Sequence, residues 1–136
     1  MLLYFGYTSC PDVCPTTLAE FAQVKKLLGP AARRLRVALV TVDRARDTPR
    51  RLRAYTRTFD STFLGLTGPR DTLAQVWKAY GIYVQSHRVS GSSAGYVVDH
   101  SATTFVIDAD GLLRLAIPFG TPLEDIRHDL QLLLPR

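Results

Sequence analysis

Cysteine, histidine, methionine and tryptophan are all scarce in this 136-residue sequence. It contains two cysteines, three histidines, one methionine and one tryptophan. Two cysteines are too few for a small secreted scaffold that is held together by disulfides. Cys10 and Cys14 are also close in sequence, and a crosslink that closes so short a loop adds little stability. Their proximity therefore favours a chemical role over an architectural one.

Long apolar segments are lacking as well. No stretch approaches the roughly 20 apolar residues that span a bilayer. The apolar start, residues 1–5, is too short for a signal peptide and has no basic region before it. It is typical of a buried strand, and natural chains seldom begin inside a core strand. We therefore expect upstream residues in the natural protein, with an export signal or a membrane anchor among them.

The charge balance is basic, with 17 Lys and Arg against 12 Asp and Glu. Arginine clusters lie within residues 33–36 and 44–53. Neither cluster is interleaved with the exposed aromatic residues that a nucleic-acid surface favours, so no nucleic-acid partner is expected. A solvated basic face is the first interpretation. An acidic protein partner or an anionic membrane surface is the next one.

Strand and helix patterns alternate over the first part of the chain. Residues 2–7, 35–42 and 63–66 are predicted strands, and a helix follows each of them. Asp12 is a candidate cap for the first helix, which ends at Gly29, and Thr48 is a candidate cap for the second. Pro69 opens the third helix and Gly81 ends it.

The last third of the chain changes in character. Residues 82–84 and 96–98 are strand-like, and the polar segment 85–95 between them is predicted to be a mobile surface loop. A hairpin is predicted at residues 103–117. Thr121 and Glu124 form a capping box for a final helix. The whole order predicts an α/β, thioredoxin-like fold, with a central mixed sheet and helices on both faces, as a single domain over residues 1–136.

The turn after the first strand carries both cysteines. It follows a strand and opens a helix, so the backbone N–H groups there favour thiolate over thiol. Residues four apart on a helix share one face, so Cys10 and Cys14 can converge on one ion. Pro11 and Pro15 stiffen the backbone around them.

Metal binding and redox chemistry both remain open for this pair. Soft thiolates select Cu(I) or Zn. A structural zinc site needs four ligands, whereas two thiolates and one imidazole suit copper, as Cu(I) or as Cu(II) with an added water or carboxylate. Thioredoxin-type motifs have two residues between the cysteines. Here there are three, which brings the Cα separation near the upper limit for a disulfide. The spacing favours a metal site.

Three histidines are candidates for a third ligand. His128 lies on the last helix, away from its apolar stripe, and His87 lies in the polar segment. His100 precedes the strand at 103–107, a junction that lies beside the cysteine turn in a thioredoxin-like sheet. The neighbouring Asp99 can orient the His100 ring by a hydrogen bond to the ring nitrogen that does not bind the metal. A loop histidine held only by a backbone hydrogen bond is an equally good interpretation of the position.

Three motifs, in order along nearly the whole chain, resemble the Sco/SenC copper chaperones. The first is the run YFGYTSCPDVCPTTL at residues 4–18. The second is Val42-Asp43 followed by RDTP at 46–49. The third is VDHS at 98–101 followed by TFVID at 104–108 and Gly111.

The resemblance implies that Cys10, Cys14 and His100 are copper ligands. It also implies a metallochaperone, rather than a turnover enzyme, that delivers copper to the dinuclear copper site of cytochrome c oxidase. The alternative is a thiol–disulfide oxidoreductase that uses Cys10 and Cys14 to keep the cysteines of that site reduced. The implied partners are the copper-site subunit of the oxidase or another copper carrier. The implied location is periplasmic or extracytoplasmic, on a membrane tether.

The chain also departs from the family pattern. Arg44 stands where the family usually has proline, and the upstream β-hairpin and membrane anchor of the family are absent from the sequence. Asp43 and Asp47 follow the second strand and can line the site from there, although Asp47 is equally typical of a turn or cap residue. A peroxidase is the weakest alternative, because no peroxide-activating arrangement is evident around one cysteine.

Overall fold

The computed structural model of the protein describes residues 1–88, 96–100 and 102–134. Its strands and helices follow one another in the alternating order that the sequence predicts. The strands are β1 (Leu2–Gly6), β2 (Val37–Thr41), β3 (Leu64–Leu66), β4 (Val84–Arg88), β5 (Tyr96–His100), β6 (Thr103–Ile107) and β7 (Leu113–Pro118). The α-helices are α1 (Val13–Leu28), α2 (Pro49–Arg57), α3 (Arg70–Ala79) and α4 (Leu123–Leu133), and a 3-10 helix (Gly29–Arg34) follows α1.

The main sheet has five strands in the order β3-β2-β1-β6-β7. β1 is parallel to β2 and β2 is parallel to β3, because a helix crosses over between them. β6 is antiparallel to β1 and β7 is antiparallel to β6. The sheet is therefore mixed, with the late hairpin as its antiparallel edge, as predicted.

Side chains that alternate along β1 bring helices to both faces of the sheet. All five residues of β1 are buried. A Cβ placed on Gly6 would lie 2.8 Å from Cys14 Sγ, so this face of the strand lies directly under the start of α1. Phe5 points the other way, where its ring centroid is 5.3 Å from that of Tyr80, at the end of α3, and 6.1 Å from that of Phe105. The packing matches the predicted thioredoxin-like layers.

Two predicted helix caps are confirmed, a third is confirmed in position only, and one is wrong. Thr48 accepts a hydrogen bond from Arg51 N at 3.1 Å, and Gly29 ends α1 with a φ of 57°. Asp12 occupies the cap position of α1, but its side chain makes no capping bond. Thr121 does not cap α4, because its hydroxyl donates to Pro118 O at 2.8 Å in the preceding turn, and Pro122 takes the cap position.

The prediction of a loop at residues 85–95 is wrong for residues 85–88. These residues belong to β4, which pairs with β5 as an antiparallel ribbon separate from the main sheet. The residues from Gln85 to Arg88 are exposed, so the segment has no buried face and its sequence lacks the apolar alternation that marks a strand. Residues 89–95 lie outside the described part of the chain. Among the helices that the structure describes, none is long and apolar enough to cross a membrane.

Replacing Gly65 with alanine tests how α2 packs on β3. An added Cβ would lie 2.6 Å from Leu52 Cβ and 3.0 Å from the Leu52 carbonyl carbon, and Leu52 is fully buried. We expect Gly65→Ala to lower the free energy of unfolding by about 1–3 kcal/mol, measured by urea denaturation. Gly68→Ala is the control, since nothing lies within 4 Å of its added Cβ. Equal urea midpoints for the two variants would contradict this packing.

Candidate metal centre

A buried carboxylate fixes the turn that carries the cysteines. Asp47 accepts hydrogen bonds from Thr8 N at 3.0 Å, from Thr8 Oγ1 at 2.6 Å and from Thr41 Oγ1 at 2.8 Å. The Asp47 side chain has no exposed surface. Burial without partners would be costly for a carboxylate, and these three donors remove that cost. Asp47 therefore holds the start of the turn against the end of β2.

Helix α2 holds the same turn from outside. Arg51 Nε donates to Thr8 Oγ1 at 2.7 Å, and another guanidinium nitrogen of Arg51 donates to Ser9 Oγ at 2.9 Å. Arg51 also lies 3.9 Å from Asp47 Oδ1. The two residues before Cys10 are thus bonded to a helix that is distant in sequence.

The two thiols have different environments. Cys14 is fully buried in the first turn of α1, where the Tyr4 hydroxyl donates to its sulfur at 3.7 Å. Cys10 lies ahead of the helix and is partly exposed. One thiol therefore faces solvent and the other faces the interior.

These environments shift the two pKa values in opposite directions. A hydrogen bond from the Cys14 thiol lowers the pKa of Cys10 to about 5, and backbone N–H groups of Cys14 and Asp12 act in the same direction against the effect of burial. The pKa of Cys14 is raised, because its thiol donates that bond and is buried. Cys10 is therefore a thiolate at neutral pH while Cys14 keeps its proton.

His100, the last residue of β5, reaches the buried thiol. Its Nε2 lies 3.7 Å from Cys14 Sγ. Its Nδ1 lies 3.3 Å from Val98 O, and because a carbonyl oxygen only accepts, Nδ1 is the donor in this contact. The rings of Tyr4 and Tyr7 meet the imidazole edge to face, with centroids 6.2 Å and 5.7 Å away. These contacts fix both the position and the orientation of the ring.

One hydrogen bond joins the ribbon that carries His100 to the cysteine turn. Val98 N donates to the Tyr7 hydroxyl at 3.1 Å, and both residues are buried. Tyr7 immediately follows β1, so the bond connects the β4–β5 ribbon to the main sheet. Tyr7 ends the segment predicted as the first strand, residues 2–7, and its hydroxyl makes this contact just beyond β1.

Cys10 and His100 line one cavity of about 340 Å³, together with Tyr7, Pro11, Asp12, Val13, Val98 and Ala102. Cys14 does not line this cavity but contacts His100, which does. The structure thus brings Cys10, Cys14 and His100 together. Among the described residues no three His, Cys, Asp or Glu side chains form a preassembled metal site. Binding by all three residues therefore requires a small adjustment of their side chains.

The other candidate residues lie elsewhere. His128 is exposed on α4, 3.2 Å from Asp129, and His87 lines a different cavity. Asp43 pairs with Arg46, whose guanidinium lies 5.8 Å from the centroid of the Tyr7 ring. The side chain of Asp99 lies outside the described part of the structure.

The sequence analysis did not identify Tyr4, Thr8 or Arg51 as parts of the site. Tyr4 was assigned only to the first strand. The period of two in β1 places Tyr4 on the same face as Gly6, under the start of α1, and that pattern could have indicated its contact with Cys14. The contacts of Thr8 and Arg51 join elements that are 43 residues apart. No local pattern indicates them.

The fold and the site define a thioredoxin-like protein in which two thiols of different acidity meet one imidazole. The chain belongs to the SCO1/SenC family, whose model matches residues 1–134.

Relatives of known sequence and structure agree with this assignment. Mitochondrial protein SCO2 of Saccharomyces cerevisiae is 32% identical over 140 residues, which cover 99% of this chain and 46% of that protein. The structure of Bradyrhizobium japonicum ScoI with copper bound has a TM-score of 0.85 and 34% identity, over 98% of this chain and 83% of the other. A thioredoxin-family thiol:disulfide interchange protein from Chlorobium tepidum shares the fold, with a TM-score of 0.60 and 19% identity over 98% of this chain and 79% of the other. The chain spans about half the length of the curated relatives it matches.

Alkylation of the metal-free protein tests the difference between the thiols. We expect the rate of reaction of Cys10 with iodoacetamide to rise as the pH increases through about 5 and to level off by pH 7, because only the thiolate reacts. Cys14→Ser keeps a hydroxyl donor, whereas Cys14→Ala removes the donor and moves the rise toward the ordinary thiol pKa of about 8.5. Peptide mass spectrometry measures both rates. Alkylation of Cys14 ahead of Cys10 at pH 6 would contradict the assignment.

Proposed function

We propose that this chain is a copper metallochaperone that holds one copper ion, as cargo, through Cys10, Cys14 and His100. The observation that carries the proposal is the approach of His100 Nε2 to within 3.7 Å of Cys14 Sγ, beside the Cys10 thiolate. These three residues come from two segments 86 positions apart in the chain.

The separation between Cys14 Sγ and His100 Nε2 fits two donors on one ion. Thiolate and imidazole ligands bind small metal ions at about 2.3 Å and about 2.0 Å. At a bond angle near 120°, those lengths separate sulfur from nitrogen by about 3.7 Å, which is the separation observed between Cys14 and His100. Cys10, hydrogen-bonded to Cys14, is the third donor of the proposed set.

The donor set favours copper. Two thiolates and one imidazole are soft or intermediate ligands, and three of them leave a zinc site incomplete. Cys10 is already deprotonated at neutral pH, whereas Cys14 releases its proton when the ion binds. The presence of copper in Bradyrhizobium japonicum ScoI supports the same assignment.

The geometry also suits handover of the ion. Cys10 faces a cavity of about 340 Å³, so the thiols of a partner can approach it, while Cys14 and His100 hold the ion from the protein side. We propose the dinuclear copper site of cytochrome c oxidase, or another copper carrier, as the recipient. We propose an extracytoplasmic, membrane-associated location for the full-length protein. Membership of the SCO1/SenC family supports both.

A second candidate function is thiol–disulfide exchange, and the difference between the two thiols favours it. A partly exposed thiolate next to a buried, protonated thiol is the arrangement of an attacking and a resolving cysteine. In that function Cys10 and Cys14 would reduce the cysteines of the copper site, and His100 would at most adjust their acidity.

Substitution of each ligand separates the two functions. We expect Cys10→Ser, Cys14→Ser and His100→Ala each to weaken Cu(I) binding, because each removes a direct donor. The loss in affinity should exceed the ~10–100-fold that follows when a residue hydrogen-bonded to a metal ligand is replaced. The measurement is competition of the reduced protein with a chromophoric Cu(I) chelator. His128→Ala is the matched control, since His128 is exposed on α4, and it should bind like the wild type.

A different result would favour the second function. One such result is that His100→Ala binds copper like the wild type, and that the metal-free wild type and this variant reduce a disulfide substrate equally fast. The assignment of His100 as the third ligand would then be wrong. The pair would then be better described as a redox dithiol.

A further inference from the structure

A second and larger cavity lies beside the candidate metal centre. It has a volume of about 650 Å³, against about 340 Å³ for the cavity at Cys10. Its walls come from the segment after β2, from α3 and from β4. Nothing in the copper-binding proposal uses it.

Its walls are basic. Arg44, Arg70 and Arg88 line the cavity, each from a different element, and all three side chains are exposed. The nearest anionic lining residue, Asp43, is already paired with Arg46. Among the described side chains, none of the three arginines is paired with a carboxylate; Arg44 Nε donates instead to Gly68 O at 2.8 Å. Three guanidinium groups of one sign around one depression attract anionic groups.

The cavity also has an apolar wall. Trp77, from α3, lines it, and its indole N–H donates to Thr41 O at 3.2 Å at the end of β2. Val42 lines it as well and is buried. An apolar wall beside guanidinium groups suits the stem and the head of an acidic side chain, and it offers little to an inorganic anion.

A series of side-chain contacts connects the two cavities. Asp43 lines the larger one and pairs with Arg46. The guanidinium of Arg46 lies 5.8 Å from the ring centroid of Tyr7, and Tyr7 lines the cavity at Cys10. The larger cavity is therefore connected to the metal centre through Asp43, Arg46 and Tyr7, and neither cysteine lines it.

We propose that the cavity of Arg44, Arg70, Arg88 and Trp77 is a docking site for an acidic segment of the protein that exchanges copper with this chain. Carboxylates of that segment pair with the three arginines, and the apolar part of the segment lies on Trp77. Docking there leaves Cys10 open to the thiols of the partner. The identity of the partner rests on the proposed copper function, whereas the binding of an acidic segment does not.

Fluorescence titration of metal-free protein with a blocked six-residue glutamate peptide tests the proposal. Trp77 is the single tryptophan of the chain and lines the cavity, so it reports binding directly. We expect saturable binding at low salt that is lost near 1 M salt, where charges are screened beyond about 3 Å. Arg44→Gln combined with Arg88→Gln should weaken binding about tenfold or more, because two of the pairing groups are removed.

The matched control keeps the same change in net charge. Arg33→Gln combined with Arg36→Gln removes two exposed arginines that lie before β2, whereas Arg44 lies after it, and it should bind the peptide like the wild type. Equal losses in the two double variants would show general attraction by net charge and overturn the proposal. Equal affinities for inorganic phosphate and for the peptide would also overturn it, since the site would then hold a small anion.

Copper titration of the same variants keeps this test apart from the copper function. Arg44→Gln with Arg88→Gln should bind Cu(I) like the wild type, because neither residue contacts a thiol or the imidazole in the described structure. If peptide binding fails while copper binding persists, only the docking site is wrong. If peptide binding persists in a protein that does not bind copper, the acidic site stands and its partner is not a copper protein.

Discussion

The hydrogen bond from Val98 N to the Tyr7 hydroxyl connects the ribbon that ends in His100 to the core strand beside the cysteine turn. Within the described residues, the β4–β5 ribbon makes no strand pairing with the main sheet, although only two residues separate His100 from β6. The 3.1 Å bond from Val98 N to the Tyr7 hydroxyl holds the ribbon, and the edge-to-face contacts with Tyr4 and Tyr7 hold the ring of His100. Because Tyr7 directly follows β1, and Gly6 of β1 lies against Cys14, the same core strand contacts both parts of the site.

The cysteine turn is rigid for a similar reason. Thr8, near its start, is hydrogen-bonded to Asp47, which lies between β2 and α2, and to Arg51 on α2. The turn is therefore held by contacts with a distant segment as well as by hydrogen bonds within itself. A turn held in this way can keep one thiol exposed and ionised and the other buried and protonated. The same asymmetry serves a copper carrier, which needs one accessible ligand, and a dithiol reductant, which needs one attacking sulfur. The imidazole distinguishes them, because disulfide exchange has no need of a nitrogen at 3.7 Å from the buried sulfur.

The sequence predicts much of this fold and part of the site. The buried strands β1, β2 and β6 carry strong apolar signals, and the cap at Thr48 is local, so these features were predictable. β4 was missed because an exposed ribbon strand has no apolar face. Thr121 was misassigned because a carbonyl in the preceding turn competes for its hydroxyl. The spacing of Cys10 and Cys14 indicates a shared site, whereas position alone left His100 undecided. The roles of Asp47, Arg51 and the Tyr7 hydroxyl depend on contacts between distant segments, which no local pattern encodes.

In the proposed copper centre one ion binds to two sulfurs and one nitrogen. X-ray absorption spectroscopy at the copper edge of the reduced, Cu(I)-loaded protein measures that set of ligands directly. The predicted spectrum has two sulfur neighbours at about 2.3 Å and one imidazole nitrogen at about 2.0 Å, with the multiple-scattering features of the ring. A first shell that contains sulfur alone would contradict the claim and leave His100 as a neighbour of the site rather than a ligand.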